Sequence, residues 1–181
     1  KYVIGLTGNI ATGKSVVRKM LERLGAFGID TDSLSHRAMA KDAPGYQPII
    51  NTFGNWLLNE DQQINRSKLA SIVFMNPDAL YQLETIIHPL VFQAVDIIIR
   101  RASQPVIVLE AIKLLESGLW NNCESIWTVT SERQVQISRL VDLRKLSVAE
   151  AEMRIDSQPP QSEKINRAHV VIRNNGSYED T

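Results

Sequence analysis

Eight residues near the start of the chain, Gly8-Asn9-Ile10-Ala11-Thr12-Gly13-Lys14-Ser15, narrow the choice of fold more than any other stretch. They fit the pattern Gly-x-x-x-x-Gly-Lys-Ser/Thr, which works only where a buried strand runs into a helix. Both flanks agree. Residues 2–6 are an apolar run, and Val16, Val17, Met20, Leu21 and Leu24 form one stripe at helical spacing, with Gly25 placed to end the helix. Residues 26–29 read as a second short strand, closed by Asp30-Thr31-Asp32. Strand, loop, helix, strand is the opening of a parallel α/β sheet flanked by helices.

The residue types in the loop follow from what a phosphate needs. Gly8 and Gly13 permit backbone angles that side chains forbid, so successive N–H groups can face phosphate oxygens. A helix starting near Lys14 adds its positive end. Lys14 is placed for the β- and γ-phosphates, the Ser15 hydroxyl for Mg²⁺, and the Val16 N–H for the α-phosphate. The chain is thus expected to be a P-loop protein that grips a nucleoside triphosphate through residues 8–16.

Residues 33–101 have another character, with no convincing strand. Pro44-Gly45, Asn76-Pro77 and His88-Pro89 punctuate helical patterns, and Pro89 is expected to open a new helix. The sheet resumes at 106–109, ending in Glu110, and continues at 125–129 and 169–172. Ser131-x-x-Gln134 and Ser147-x-x-Glu150 both have the spacing of a helix-capping box. The resulting organisation is a single domain: a core of about 1–32, 102–130 and 164–181, a helical acceptor-binding insertion of about 33–101, and a helical lid of about 131–163.

Composition removes several classes of function. In 181 residues Lys plus Arg equals Asp plus Glu, 20 each, so no global charge draws the chain to nucleic acid or a membrane surface. A single cysteine, Cys123, excludes an internal disulfide and a cysteine-based zinc site, and it reads as a small residue before a buried strand. His36, His88 and His169 are too scattered in sequence for a metal-binding pair. No apolar run is expected to reach membrane-spanning length, and residues 1–5 lack the layout of a secretory leader. A cytoplasmic setting, with no nucleic-acid or membrane partner, is the expectation. The tryptophans at 56, 120 and 127 read as packing residues.

A GTPase switch would carry a guanine-reading Asn-Lys-x-Asp, which is absent. Asp42-Ala43-Pro44-Gly45 follows a polar helix end rather than an apolar strand, so it is not a switch element. A small kinase instead needs an acid at the acceptor hydroxyl, an acceptor-holding insertion and an arginine-bearing lid, and each is readable here.

From residue 2 to about 180 the chain resembles the dephospho-coenzyme A kinases. The resemblance is carried, in order, by Ile4-Gly5-Leu6-Thr7-Gly8 with its P-loop, by Ile29-Asp30-Thr31-Asp32 running on to His36, and by His88-Pro89-Leu90. It continues through Leu115-Glu116-Ser117-Gly118-Leu119, Arg154-Ile155 with Gln158, and Val171-Ile172 with Asn174 and Gly176. It implies ATP-dependent phosphorylation of the ribose 3′-hydroxyl of dephospho-coenzyme A, giving ADP and coenzyme A, with ATP and dephospho-coenzyme A as small-molecule partners and Mg²⁺ as the metal. It also implies Arg139 as an ATP-side arginine, Asn174 at the ATP site, and His36, His88 and Arg154 toward the acceptor. The chain departs from the family at Asn9 and Ala11, where glycine is usual, at Ile112-Lys113, where a proline is lost, and at Leu143-Arg144, where the second arginine is displaced by one place. Other small-molecule kinases, or a nucleotide-sensing module without turnover, are the competing functions.

Several residues carry two readings. Asp32 is placed to orient and deprotonate the acceptor hydroxyl, or to cap a helix over 33–40. Asp30 is a structural or metal-adjacent acid. His88 contacts the acceptor or only marks a helix junction. Glu110 holds a Mg²⁺-bound water or is a solvated strand-end acid. Arg139, Arg154 and Arg144, in that order, are candidates for neutralising the transferring phosphoryl group, or are surface charges.

Overall fold

The computed structural model describes residues 1–177 and 179–181. Its centre is a parallel sheet of five strands: β1 (Tyr2–Thr7), β2 (Phe27–Asp30), β3 (Val106–Glu110), β4 (Ser125–Thr130) and β5 (Val170–Arg173), in the order β2-β3-β1-β4-β5. The register sets Leu6 against Glu110 on one side of β1 and against Trp127 on the other. Strands buried on both faces need near-continuous apolar runs, and β3, Val-Ile-Val-Leu-Glu, is such a run. Val3, Ile4, Leu6, Ile107, Val108, Leu109 and Val129 are all buried. Because β1 is central and flanked by strands that leave in opposite directions, the loop that follows it lies at the topological switch point, where open α/β sheets bind ligands.

The helix α1 (Lys14–Arg23) follows that loop and packs Val17 and Leu21 against Leu6, Val108 and Val129. The chain divides into two compact units, residues 1–30 with 102–181, and residues 31–101. In the first unit, three helices fill the stretch between β4 and β5: α6 (Arg133–Arg144), α7 (Val148–Asp156) and α8 (Gln161–Ile165). Ser147 caps α7 through the expected box with Glu150. Ser131 does not cap α6. Glu132 holds that position without a side-chain capping bond, and the Ser131 hydroxyl is used elsewhere.

The second unit contains α2 (Thr31–Ala38), α3 (Tyr46–Phe53), α4 (Arg66–Met75) and α5 (Pro77–Arg101). Its only strand-like pairing among the described residues is one bridge between Leu58 and Ile64. Asn65 caps α4, and Asn76 Oδ1 accepts from Asp78 N and Ala79 N at the start of α5. Pro89 was expected to open a helix but lies inside α5, which runs unbroken for 25 residues. A proline there costs about 3 kcal/mol. Ala79, Ile87, Val91 and Val95 lie at fourfold spacing and are buried, and α5 packs on α2, α3 and α4. Burial of a full-length stripe is worth more than the lost hydrogen bond. By length and composition α5 is also apolar enough to cross a membrane, contrary to the expectation for this chain. In the second unit it is the central packing element.

Candidate functional site

The phosphate loop is held open by its neighbours. Gly8 has φ +149°, and a side chain there would collide with Val129 O. Gly13 has φ +93°, and a Cβ would run into Asn174 Nδ2. Ala11 adopts the left-handed conformation without being glycine, at φ 58°. Thr12 Oγ1 donates to Asn9 O at 3.0 Å, and Lys14 Nζ donates to the same carbonyl at 3.1 Å. Lys14 is therefore laid along the loop and is only 8% exposed. Among the described residues, the N–H groups of Ala11, Thr12 and Gly13 have no protein acceptor. The Val16 N–H, expected at the α-phosphate, instead donates to Gly13 O at 2.9 Å in the first helical turn.

Beside the loop, Ser15 Oγ donates to Glu110 Oε1 at 2.6 Å, and Arg18 Nε donates to Glu110 Oε2 at 2.6 Å. Arg18 also reaches Glu22 at 2.5 Å. Glu110 is thus neither solvated nor isolated: it is buried and paired, which corrects the strand-end reading. Burial works against the Arg18 charge, but the bonds to Glu110 and Glu22 more than offset it and raise its pKa. Nothing in the sequence singles out Arg18 except that it lies one helical turn after Lys14.

Arg139 lies on the other side of the loop. Its Nη1 donates to Ala11 O at 3.1 Å and Ser131 Oγ at 3.0 Å, and its Nη2 to Asn174 O at 3.0 Å and Asn174 Oδ1 at 3.1 Å. Asn174 Nδ2 donates to Thr12 O at 2.9 Å. The Ser131 hydroxyl has Asn174 O at 2.6 Å and Thr12 O at 3.2 Å within reach. Asn174 and Ser131 therefore brace the loop from behind. Next to this brace is a cavity of about 310 Å³, bounded by Ala11, Gly13 and Val16 on one side and by Arg139, Arg144 and Asn174 on another. Arg144, ranked last from sequence, lines it; Arg154 does not. Arg154 is exposed on α7, where its charge interacts with Glu150.

Gln158, part of the family resemblance together with Arg154, lies beyond the end of α7 at Asp156, and its Oε1 accepts from Ile10 N at 2.7 Å. Gln136 Nε2 donates to Ile10 O at 2.6 Å. Sequence reasoning passed over Gln136; its one signal was its place four residues before Leu140 on the buried face of α6. Also unforeseen is Lys164, which is 3% exposed and donates to Ile112 O at 2.7 Å, where Thr7 Oγ1 also donates. Burial lowers the Lys164 pKa.

In the second unit, Asp32 stands exposed in the first turn of α2. The helix opens at Thr31, so Asp32 is not its cap. His36 lies one turn further along α2 and is also exposed, and His88 is half-buried in mid-α5, the helix that α2 packs on. His88 therefore marks no helix junction.

Similarity to known proteins agrees with this architecture. The dephospho-CoA kinase family model matches residues 2–180. The dephospho-CoA kinase of Geobacter metallireducens is 41% identical, over 99% of this chain and 90% of its own length. The solved structure of TT1252 from Thermus thermophilus superimposes with a TM-score of 0.86 at 30% identity, covering 99% of this chain and 91% of that one. Dephospho-CoA kinase from Campylobacter jejuni gives a TM-score of 0.67 at 28% identity, covering 98% and 90%. With a phosphate loop on the central strand of a parallel sheet and similarity along its whole length, this chain belongs to the dephospho-CoA kinase family.

Proposed function

We propose that this kinase moves the γ-phosphoryl group of ATP to the ribose 3′-hydroxyl of dephospho-coenzyme A, releasing ADP and coenzyme A. The observation that supports the donor half is the braced phosphate loop opening beside the cavity of about 310 Å³ between Val16 and Arg139. Gly8 to Ser15 hold the triphosphate, Lys14 swings from Asn9 O to its β- and γ-oxygens, and the cavity takes the nucleoside. Arg139 and Arg144 add positive charge from α6 where phosphoryl transfer accumulates negative charge.

Ser15 and Glu110 are hard oxygen donors 2.6 Å apart, a set that suits Mg²⁺, which binds through few protein oxygens and completes its shell with phosphates and water. Ser15 would hold the ion directly and Glu110 through a water. When bound, the ion neutralises phosphate charge. Arg18, whose Nε donates to Glu110 Oε2, orients the carboxylate for that role.

For the acceptor, Asp32 accepts the proton of the 3′-hydroxyl as attack proceeds. Its exposed position just after the carboxyl end of β2 supports this role. His36, His88 and Arg154 bind the acceptor's phosphates and arm. A cytoplasmic setting suits ATP as co-substrate and a lone thiol, and no nucleic-acid or membrane partner enters the reaction. A coupled ADP-release assay tests the proposal. Turnover is expected with dephospho-coenzyme A and not with nucleosides or nucleoside monophosphates. The reverse preference would make the chain a nucleotide kinase, and ATP binding without turnover on any acceptor would make it a sensor.

A further inference from the structure

The peptide groups of Ile10 are held on both sides by side-chain amides. Its N–H donates to Gln158 Oε1 at 2.7 Å, and its carbonyl accepts from Gln136 Nε2 at 2.6 Å. Gln158 and Gln136 lie 148 and 126 positions away in the chain. The preceding residue is tied to the same region, since Asn9 Nδ2 donates to Pro159 O at 2.8 Å. Gln136 is 1% exposed and is itself held, its Oε1 accepting from Gln161 Nε2 at 3.2 Å. The side chains of Ile10 and Ala11 complete the attachment, packing on Ile137, Leu140 and Ala151 of α6 and α7.

Loop peptides usually satisfy themselves with water or with their own turn. Here both groups of one residue in the phosphate loop are assigned to a single distant segment, from before and after the α6–α7 connection. The loop cannot shift at Ile10 without moving both attachments. Gln136 and Arg139 are three residues apart on α6, and Arg139 donates to Ala11 O, so the segment that holds Ile10 also carries an arginine of the cavity.

We propose that Gln136 and Gln158 are positioning residues for phosphoryl transfer, coupling the phosphate loop to α6 and α7 so that a triphosphate on the loop orders the lid that carries Arg139 and Arg154. This rests on the phosphate-site reading above. It assigns no contact with substrate to either glutamine. Their part is to set the geometry of groups that do touch it, where a displacement of about 1 Å costs up to about a hundredfold in rate.

Hydrogen exchange on the full chain, with and without a non-hydrolysable ATP analogue and Mg²⁺, tests the coupling. In the wild type the analogue should slow exchange across 148–156. In Gln158→Met it should bind within about threefold of wild-type affinity without protecting 148–156, and kcat at saturating ATP should fall on the order of tenfold. Swapping amide for carboxylate separates the two residues in the nucleotide-free protein. Gln158→Glu keeps an acceptor for Ile10 N–H and should retain the wild-type exchange of 148–156, whereas Gln136→Glu loses its donor and should not. If Gln136→Glu fails to fold, the two Gln158 variants decide the matter alone. Undiminished protection in Gln158→Met with kcat within about twofold of wild type would overturn the proposal, as would a fall in melting temperature with no split between kcat and affinity. Failure of the wild type to bind the analogue would sink the phosphate-site reading and this inference with it. Wild-type binding with unchanged exchange would sink this inference alone.

Discussion

Asn174 and Asp32 were both expected to touch substrate, yet their settings have little in common. Asn174 is 5% exposed, donates to Thr12 O, and receives Arg139 and Thr181 at its own oxygen. Asp32 is exposed on the first turn of a surface helix. The contrast extends to their units. Around the phosphate loop, Thr12, Lys14, Asn9 and Ser131 are buried and linked by side-chain bonds to backbone carbonyls, while His36 and His88 in the helical unit are exposed and half-buried. A site for a triphosphate needs its donors fixed before the ligand arrives, because the charge to be stabilised is large and the donors are mostly backbone. A residue that takes a proton from an acceptor needs access. Preorganisation belongs to the first unit and accessibility to the second.

The sharpest way to break this comparison is Asp32→Asn, which keeps the shape and removes the base. Turnover of dephospho-coenzyme A should fall about a thousandfold, within the usual range for losing a general base, with ATP affinity unchanged. Because the helix begins at Thr31, no capping loss should accompany it. An Asn variant with wild-type rate per folded molecule would remove Asp32 from the chemistry.

Lys14→Ala is expected to cost on the order of a hundredfold or more in turnover, the value of about 3 kcal/mol of transition-state electrostatics. Its bond to Asn9 O, donated by a charged group, is worth about 1.5–3 kcal/mol, less than the stability of a typical domain, so circular dichroism should still show a folded protein. Near-normal turnover in that folded variant would end the phosphate-grip reading.

Arg139→Lys tests whether preorganisation itself has a cost. The guanidinium fork serves Ala11 O, Ser131 and both oxygens of Asn174, and a lysine can replace its charge but not its geometry. From sequence alone, Arg139 pointed at phosphate and its loss should hardly have touched stability. The bracing contacts predict otherwise: turnover down about tenfold and stability down about 1–2 kcal/mol, seen as a lower melting temperature. A lower melting temperature with an unchanged rate would leave Arg139 as a brace alone.

The smallest effect belongs to Ala11→Gly. A left-handed alanine costs about 1 kcal/mol, so glycine should raise the melting temperature by about 2–4 °C without altering turnover. A fall would mean that the Ala11 methyl gains more by packing on Ile137 and Leu140 than its backbone loses.

Residue type and spacing alone determined much of this protein. The loop at 8–15, the strands before and after it, the capping box at Ser147 and Glu150, and the helical character of 33–101 all depend on neighbours a few residues apart. Other features required partners that the sequence does not place side by side. Glu110 looked like a solvated acid because Ser15 and Arg18 lie 95 and 92 positions away. Ser131 had the spacing of a cap, but Asn174 O, 43 positions on, holds its hydroxyl. Pro89 signalled a break, but the buried stripe of α5 spans it. Gln136 and Gln158 carried no sign that they would meet at Ile10. In each case several acceptors or conformations were locally acceptable, and only the packing of distant elements, with its demand that buried polar groups find partners, selected one.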